Sequence, residues 1–335
     1  MARKKGCCGC FAFIGLLVAV GLGGTGVIVS GIMPTPSRPA EYVRFAKPTT
    51  LTDALKTLEK HQVVKNAWAA TTFAKLMKKG GDVRAGTYKV KAGSSIEEVF
   101  ASLKKPYSQM VRLPEGWWIK RTAKRLEDNN VCPSADYVKA ASDTKPYSDL
   151  GLDLPANDLE GYLFPDTYDL PPLTPPEDIV RLQLQTFKKK VLPILPKNAD
   201  VNRVLTIGSM VELEAAKDAE RPIIAGIIES RIKKGIPLEI DATVLFAMKV
   251  WKNLPPGVVR TVESPYNTYL HKGLPPGPIG SPGLKSVQAA LHPDSHGYLY
   301  YVARPTRSHY FSATYPEHLA NIRKARAEWK AAGAR

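Results

Sequence analysis

The sequence predicts a membrane-anchored α+β protein, and three observations carry that reading. Residues Phe11 to Ile32 form an uncharged stretch long enough to cross a bilayer as a helix. After it, helical spacings and strand-like alternation are mixed rather than repeating as regular βαβ units. The 335-residue length also exceeds one common domain, so a small unit and a larger one are expected beyond the anchor.

The anchor is justified by its flanks. Arg3, Lys4 and Lys5 precede the apolar stretch, and the next charge is Arg38. Twenty-two helical residues span about 33 Å, and the positive-inside rule keeps the basic end in the cytoplasm. This gives a cytoplasmic segment 1–10, a transmembrane helix 11–32 and a stiff, proline-containing tether 33–40 on the outer side of the membrane. A cleaved signal peptide competes with this reading, but its apolar core would be only about 7–15 residues and no A-x-A site follows. A polytopic protein is excluded, since no second stretch is long and apolar enough. Cys7, Cys8 and Cys10 fall at the cytoplasmic membrane edge, and Cys132 is alone outside, without a partner for an intramolecular disulfide there.

Charge narrows the partners. The chain carries 47 Lys+Arg and 31 Asp+Glu, or +16, and removing the three cytoplasmic cations leaves +13 on the outer portion. An acidic polymer outside the membrane or the membrane surface fits that balance and location, and nucleic acid does not.

Residues 41–107 read as a small α/β unit. Leu51, Ala54, Leu55 and Leu58 recur at helical spacing, and a second amphipathic segment runs from Ala67 to Met77, ended by Gly80-Gly81. Thr87 to Lys91 alternates as a strand, and Ser94-Ser95-Ile96-Glu97-Glu98 offers a capping box for a helix carrying Val99, Phe100 and Leu103. Residues 108–335 read as a larger, mixed α+β unit. It opens with a strand at Met110–Leu113, a Pro114-Glu115-Gly116 turn and a helix carrying Ile119, Ala123 and Leu126. Helices are expected at 201–216 and at 219–234, the second closed by Gly235. A proline-rich wall at 255–282, a short helix at 286–291, a strand at 298–302 and a basic terminal helix complete it.

The segment Leu205 to Ala216 is apolar on nearly all sides yet carries Glu212 and Glu214. Two positions along a helix are about 200° apart, so the two carboxylates face opposite ways and cannot form a dyad. A carboxylate in an apolar cleft is a proton donor near neutral pH. The alternative is that one of them pairs with a buried arginine, Arg221 or Arg231. Two S-x-x-K matches, at Ser102 and Ser230, lack the S-D-N and K-T-G that would support serine acyl chemistry. The six histidines show no H-E-x-x-H spacing, so neither a metal nor another cofactor is expected.

Several blocks together resemble the MltG/YceG-like family, the membrane-anchored endolytic murein transglycosylases of bacteria. They are Leu113-Pro-Glu-Gly-Trp117, Asp158-Leu-Glu-Gly-Tyr-Leu-Phe-Pro-Asp-Thr-Tyr168, Val211-Glu-Leu-Glu-Ala215, Ser264-Pro-Tyr-Asn-Thr-Tyr269 and Gly273-Leu-Pro-Pro-Gly-Pro-Ile279, in family order. The resemblance implies a lyase that cuts the β-1,4 bond between N-acetylmuramic acid and N-acetylglucosamine in nascent glycan strands. Such cleavage leaves a 1,6-anhydro end and terminates strand elongation. It implies Glu212 as catalytic acid–base, with Glu214 as a secondary candidate. It also implies a LysM-like module within 41–107, glycan strands as substrate and peptidoglycan synthases as protein partners. Tyr266 and Tyr269 offer flat faces to sugar rings, and Asn267 offers an amide to an N-acetyl group, with Thr268 between them. Asp241, Glu160 and Tyr168 are further candidates for glycan contact, although Glu160 and Tyr168 equally suit a packed turn. The chain departs from the family pattern at Ile240-Asp241-Ala242-Thr243 and at Ser281-Pro282-Gly283, so the cleft edges are expected to differ. A non-catalytic glycan-binding scaffold is the alternative to the enzyme.

Overall fold

The computed structural model describes residues 25–156, 158–251 and 257–333. Segment 1–10 and most of the predicted span lie outside the described residues, and among these no helix is long and apolar enough to cross a membrane. Two compact units are present: Met1–Gln109 with Pro171–Leu173, and Met110–Leu170 with Thr174–Arg335.

The first unit begins with helix α1, whose described residues are 25–32. Strand β1 (Glu41–Phe45) and the short β2 (Thr49–Thr50) lead into α2 (Leu51–Lys60) and α3 (Ala67–Leu76). Then come β3 (Asp82–Val83), β4 (Gly86–Val90) and α4 (Ile96–Ser102). β1 pairs antiparallel with β4, Val43 opposite Tyr88, and β2 with β3. The alternation anticipated for residues 87–91 places Tyr88 and Val90 inward, where they join Leu55, Leu58 and Phe100 in one core. The capping box of α4 is formed from both sides: Ser95 Oγ accepts from Glu98 N at 3.3 Å, and Glu98 accepts from Ser95 N at 2.8 Å. The three residues Pro171–Leu173 return to this unit, and Thr87 Oγ1, fully buried, donates to Pro172 O at 2.7 Å. Nothing in the local sequence signals that return, because it depends on a contact 85 residues away.

The second unit is a mixed α+β body. β5 (Met110–Arg112) is followed by α5 (Ile119–Asp128) and α6 (Ser134–Ser142), and pairs antiparallel with β6 (Thr167–Asp169). α7 (Pro176–Lys190) packs on α6, and α8 (Val201–Glu214) packs on both α9 (Arg221–Lys233) and the later α11 (Leu284–Leu291). α10 (Asp241–Met248) precedes the proline-rich loops. The hairpin β7 (Tyr300–Ala303) and β8 (His309–Ser312) is covered by α12 (Tyr315–Ala331). α8 is buried from Val204 through Val211, which explains why its sequence is apolar all round. α9 ends as expected, with Gly235 in the left-handed region at φ 64° and Ile236 N returning to Arg231 O at 2.9 Å.

Candidate active site

The last turn of α8 separates its two glutamates. Glu212, expected from the resemblance to be the catalytic acid, points into an internal polar network instead. Arg221 Nη1 lies 3.1 Å from its Oε1, while Ser286 Oγ and Gly283 N donate to its Oε2 at 2.8 and 2.9 Å. Arg221 also donates to Ser286 Oγ. Glu212 therefore joins the start of α9 to the start of α11, which is the ion-pair alternative weighed for this segment. These partners lie about 70 residues downstream or on the next helix, and the local sequence does not reveal them.

Glu214 faces the other way, into an open cleft of about 540 Å³ lined also by Asp241, Tyr269, Tyr301, Arg231 and His318. Tyr301 donates to its Oε2 at 3.0 Å, and its other oxygen receives no hydrogen bond from a described residue. Burial pushes the Glu214 carboxyl up to about 7; Tyr301's hydrogen bond opposes the rise and the Asp241 charge adds to it. The side chain is thus a carboxylic acid poised to give and recover a proton near neutral pH.

Local stitching places the opposite wall. Thr268 Oγ1 accepts from Ile240 N at 3.0 Å and meets Thr243 Oγ1 at 3.0 Å, so the 264–269 loop is locked to the start of α10. That lock sets Asp241 against Tyr269, whose hydroxyl donates to Asp241 Oδ1 at 2.5 Å. Burial first, and then this acidic partner, hold the Tyr269 hydroxyl far above the usual tyrosine range. On the third side Arg231 is anchored by three backbone carbonyls, those of Leu299, Pro237 and Leu238, at 2.7–2.9 Å. His318 contributes an Nδ1 that is buried without a partner among the described residues. Burial and the Arg231 cation hold its imidazole below the ordinary range, in the neutral form.

Of the sequence candidates, the cleft gathers Glu214, Asp241 and Tyr269; Glu160, Tyr168, Tyr266, Asn267 and Thr268 do not line it. Asn267 is fully buried, donates from Nδ2 to Val259 O and Val262 O at 2.8 Å each, and accepts from Tyr269 N at 3.0 Å. Both protons of its amide nitrogen are committed to carbonyls of its own loop. Tyr266 packs on Phe246 with ring centroids 4.9 Å apart. Tyr168 is buried and donates to Phe164 O, which makes it part of a packed turn. Glu160 accepts Ile119 N at the start of α5, and burial pushes its carboxyl up to about 8. Sequence reasoning missed Tyr301 and His318. The run Tyr298-Leu299-Tyr300-Tyr301-Val302 is aromatic or apolar throughout and does not single out Tyr301, and His318 carries no signal either.

Among the described residues no group of three or more His, Cys, Asp or Glu is arranged to hold a metal ion. The loops behind the cleft are pinned by glycines at close approaches. Gly116, at φ 73°, donates to Ser281 O at 2.8 Å, and Ser281 N returns to Trp117 O at 3.0 Å. A Cβ at Gly283 would lie 2.0 Å from Glu115 Oε1, so this position of the Ser281-Pro282-Gly283 departure admits only glycine without displacing Glu115.

A carboxyl raised to about 7 and facing a polar cleft, on an α+β body, defines a candidate general acid–base site. The chain belongs to the YceG-like family, whose model matches residues 43–324. It is 29% identical over 348 residues to the endolytic murein transglycosylase of Streptococcus pneumoniae serotype 2 strain D39, covering 92% of this chain and 63% of that relative. It is 32% identical over 285 residues to the endolytic murein transglycosylase of Bacillus subtilis strain 168, covering 78% of each. The chain thus spans about 63% of the length of the pneumococcal relative. The crystal structure of a yceG-like protein from Listeria monocytogenes matches with a TM-score of 0.58 and 27% identity, over 84% of this chain and 98% of that one.

Proposed function

We propose that this protein is an endolytic peptidoglycan lytic transglycosylase with Glu214 as its single acid–base. The observation that carries the proposal is the Glu214 carboxyl, raised to about 7 and facing the cleft, while the neighbouring Asp241 is engaged by the Tyr269 hydroxyl. The names of the pneumococcal and Bacillus relatives support the reaction class. Protonated Glu214 gives its proton to the glycosidic oxygen as the bond from C1 of N-acetylmuramic acid breaks. The muramic acid 6-hydroxyl then forms the new bond to C1 and returns its proton to Glu214, leaving a 1,6-anhydro end. No water is consumed, so neither a water-activating base nor a covalent intermediate is needed.

The finer reading follows the sequence. Residues 11–32 anchor the protein in the inner membrane, and the first unit is a LysM-like module on the periplasmic face. The outer charge of +13 suits glycans whose stem peptides carry carboxylates. Peptidoglycan synthases are its working partners, since cleavage of nascent strands terminates their elongation. Muropeptide analysis tests the core of the proposal: purified protein acting on glycan strands must release anhydromuramic ends, and Glu214→Gln must not. Binding without any release by the folded wild-type protein would make it a scaffold instead.

A further inference from the structure

We propose that α3 is a docking face for an anionic lipid surface, which holds the first unit flat against the membrane beside its anchor. The inference rests on the membrane-anchor reading above. Trp68 and Leu76, eight residues apart on one face of α3, are 60% and 69% exposed, with Thr72 between them and Met77 exposed just beyond. The opposite face buries Ala67, Ala70 and Ala74 in the unit's core. An exposed tryptophan and leucine about two helical turns apart are costly in water and are not explained by packing inside the unit.

The position of this face argues for the bilayer as its occupant. The uncharged sequence 11–24 runs directly into α1, and α1 meets α3 at backbone-close range. A Cβ at Gly31 would lie 2.5 Å from Ala69 Cβ, and Ile32 packs on the unit's core. Ala69 adjoins Trp68, so the exposed indole stands at the level where a span ending at Ile32 leaves the hydrocarbon. Val27, Val29 and Met33 of the same corner are exposed too. Tryptophan is the side chain suited to that depth, with an apolar ring and a polar N–H.

Charge agrees. Lys65, Lys75, Lys78 and Lys79 are exposed on and around α3, and no Asp or Glu occurs between Lys65 and Gly81. Four cations beside an apolar stripe fit phosphate headgroups over acyl chains.

The test reconstitutes the full chain into phosphatidylglycerol–phosphatidylethanolamine vesicles whose acyl chains are brominated near the headgroup. Tryptophan emission of the wild type should be quenched more than that of Trp68→Phe. The difference should shrink when Lys75, Lys78 and Lys79 are all changed to Gln. Retention in the vesicles through an alkaline carbonate wash reports the anchor separately. Retention with equal quenching in wild type and Trp68→Phe overturns the docking face and leaves the anchor standing. Loss at the wash removes the anchor reading, and the docking face with it. Trp68 shielded from both bromine and aqueous acrylamide means that a protein, such as a second copy, covers α3, and also overturns the proposal.

Discussion

Tyr301 of β7 donates a 3.0 Å hydrogen bond to Glu214 at the C-terminal end of α8, joining two segments 87 residues apart in the chain. This bond opposes the burial that raises the Glu214 carboxyl, and so sets where the acid titrates. The hairpin is therefore part of the candidate site and not merely a cover for its edge.

The first prediction concerns pH. If Glu214 must be protonated to start the reaction, kcat/KM should fall as pH rises through about 7. Tyr301→Phe removes a bond that stabilises the carboxylate, so the falling limb should move to higher pH. Initial rates of anhydromuropeptide release across pH 5 to 9 measure both. An unmoved limb in the variant would detach Tyr301 from the titration.

A second prediction separates the two glutamates. Glu214→Gln should keep the melting temperature and lose about 10²–10⁴-fold in rate, the usual worth of a general acid–base. Glu212→Gln should keep cleavage per folded molecule but unfold earlier. Removing one partner of a buried pair costs about 3–5 kcal/mol at the upper end, and here Arg221 would lose its buried carboxylate. Activity loss in Glu212→Gln without a stability change would reverse the assignment.

The contrast shows what the sequence could and could not carry. The burial of α8, the opposed directions of its two carboxylates and the capping box of α4 are local, and periodicity or spacing exposes them. Which glutamate meets the cleft is decided by Gly283, Ser286 and Tyr301, all about 70 residues or more downstream, and a helix buried on every side gives no polar face to choose by. Asn267 is illegible for a related reason: an asparagine that binds a sugar and one that ties a loop look the same until its carbonyl partners are in place.

The third prediction uses Glu160. Its folded-state value of about 8 lies above its ordinary value of 4.5. The folded state thus holds a proton that the unfolded chain releases, and stability falls as pH rises from about 4.5 to about 8. Glu160→Gln can still accept Ile119 N without ever ionising. Its melting temperature should therefore decline less across that window and exceed the wild type's at pH 8.5. A parallel decline in the two proteins would show that Glu160 ionises at its ordinary value.

The fourth prediction concerns Asn267, whose amide is tied into its own loop. Three buried hydrogen bonds end at its amide, two from Nδ2 to carbonyls of the 257–262 segment and one from Tyr269 N to Oδ1. Each contributes about 1 kcal/mol net, and the carbonyls orphaned by truncation cost about as much again. Asn267→Ala should therefore destabilise the protein by about 2–4 kcal/mol, a drop in melting temperature of roughly 5–15 °C for a unit of this size. Tyr269 hangs from the same loop, so its contact with Asp241 loosens as well, but cleavage per folded molecule should change far less than in Glu214→Gln. Calorimetry paired with muropeptide release at a temperature below both transitions checks this. An unchanged melting temperature with cleavage lost tenfold or more would make Asn267 a glycan contact after all.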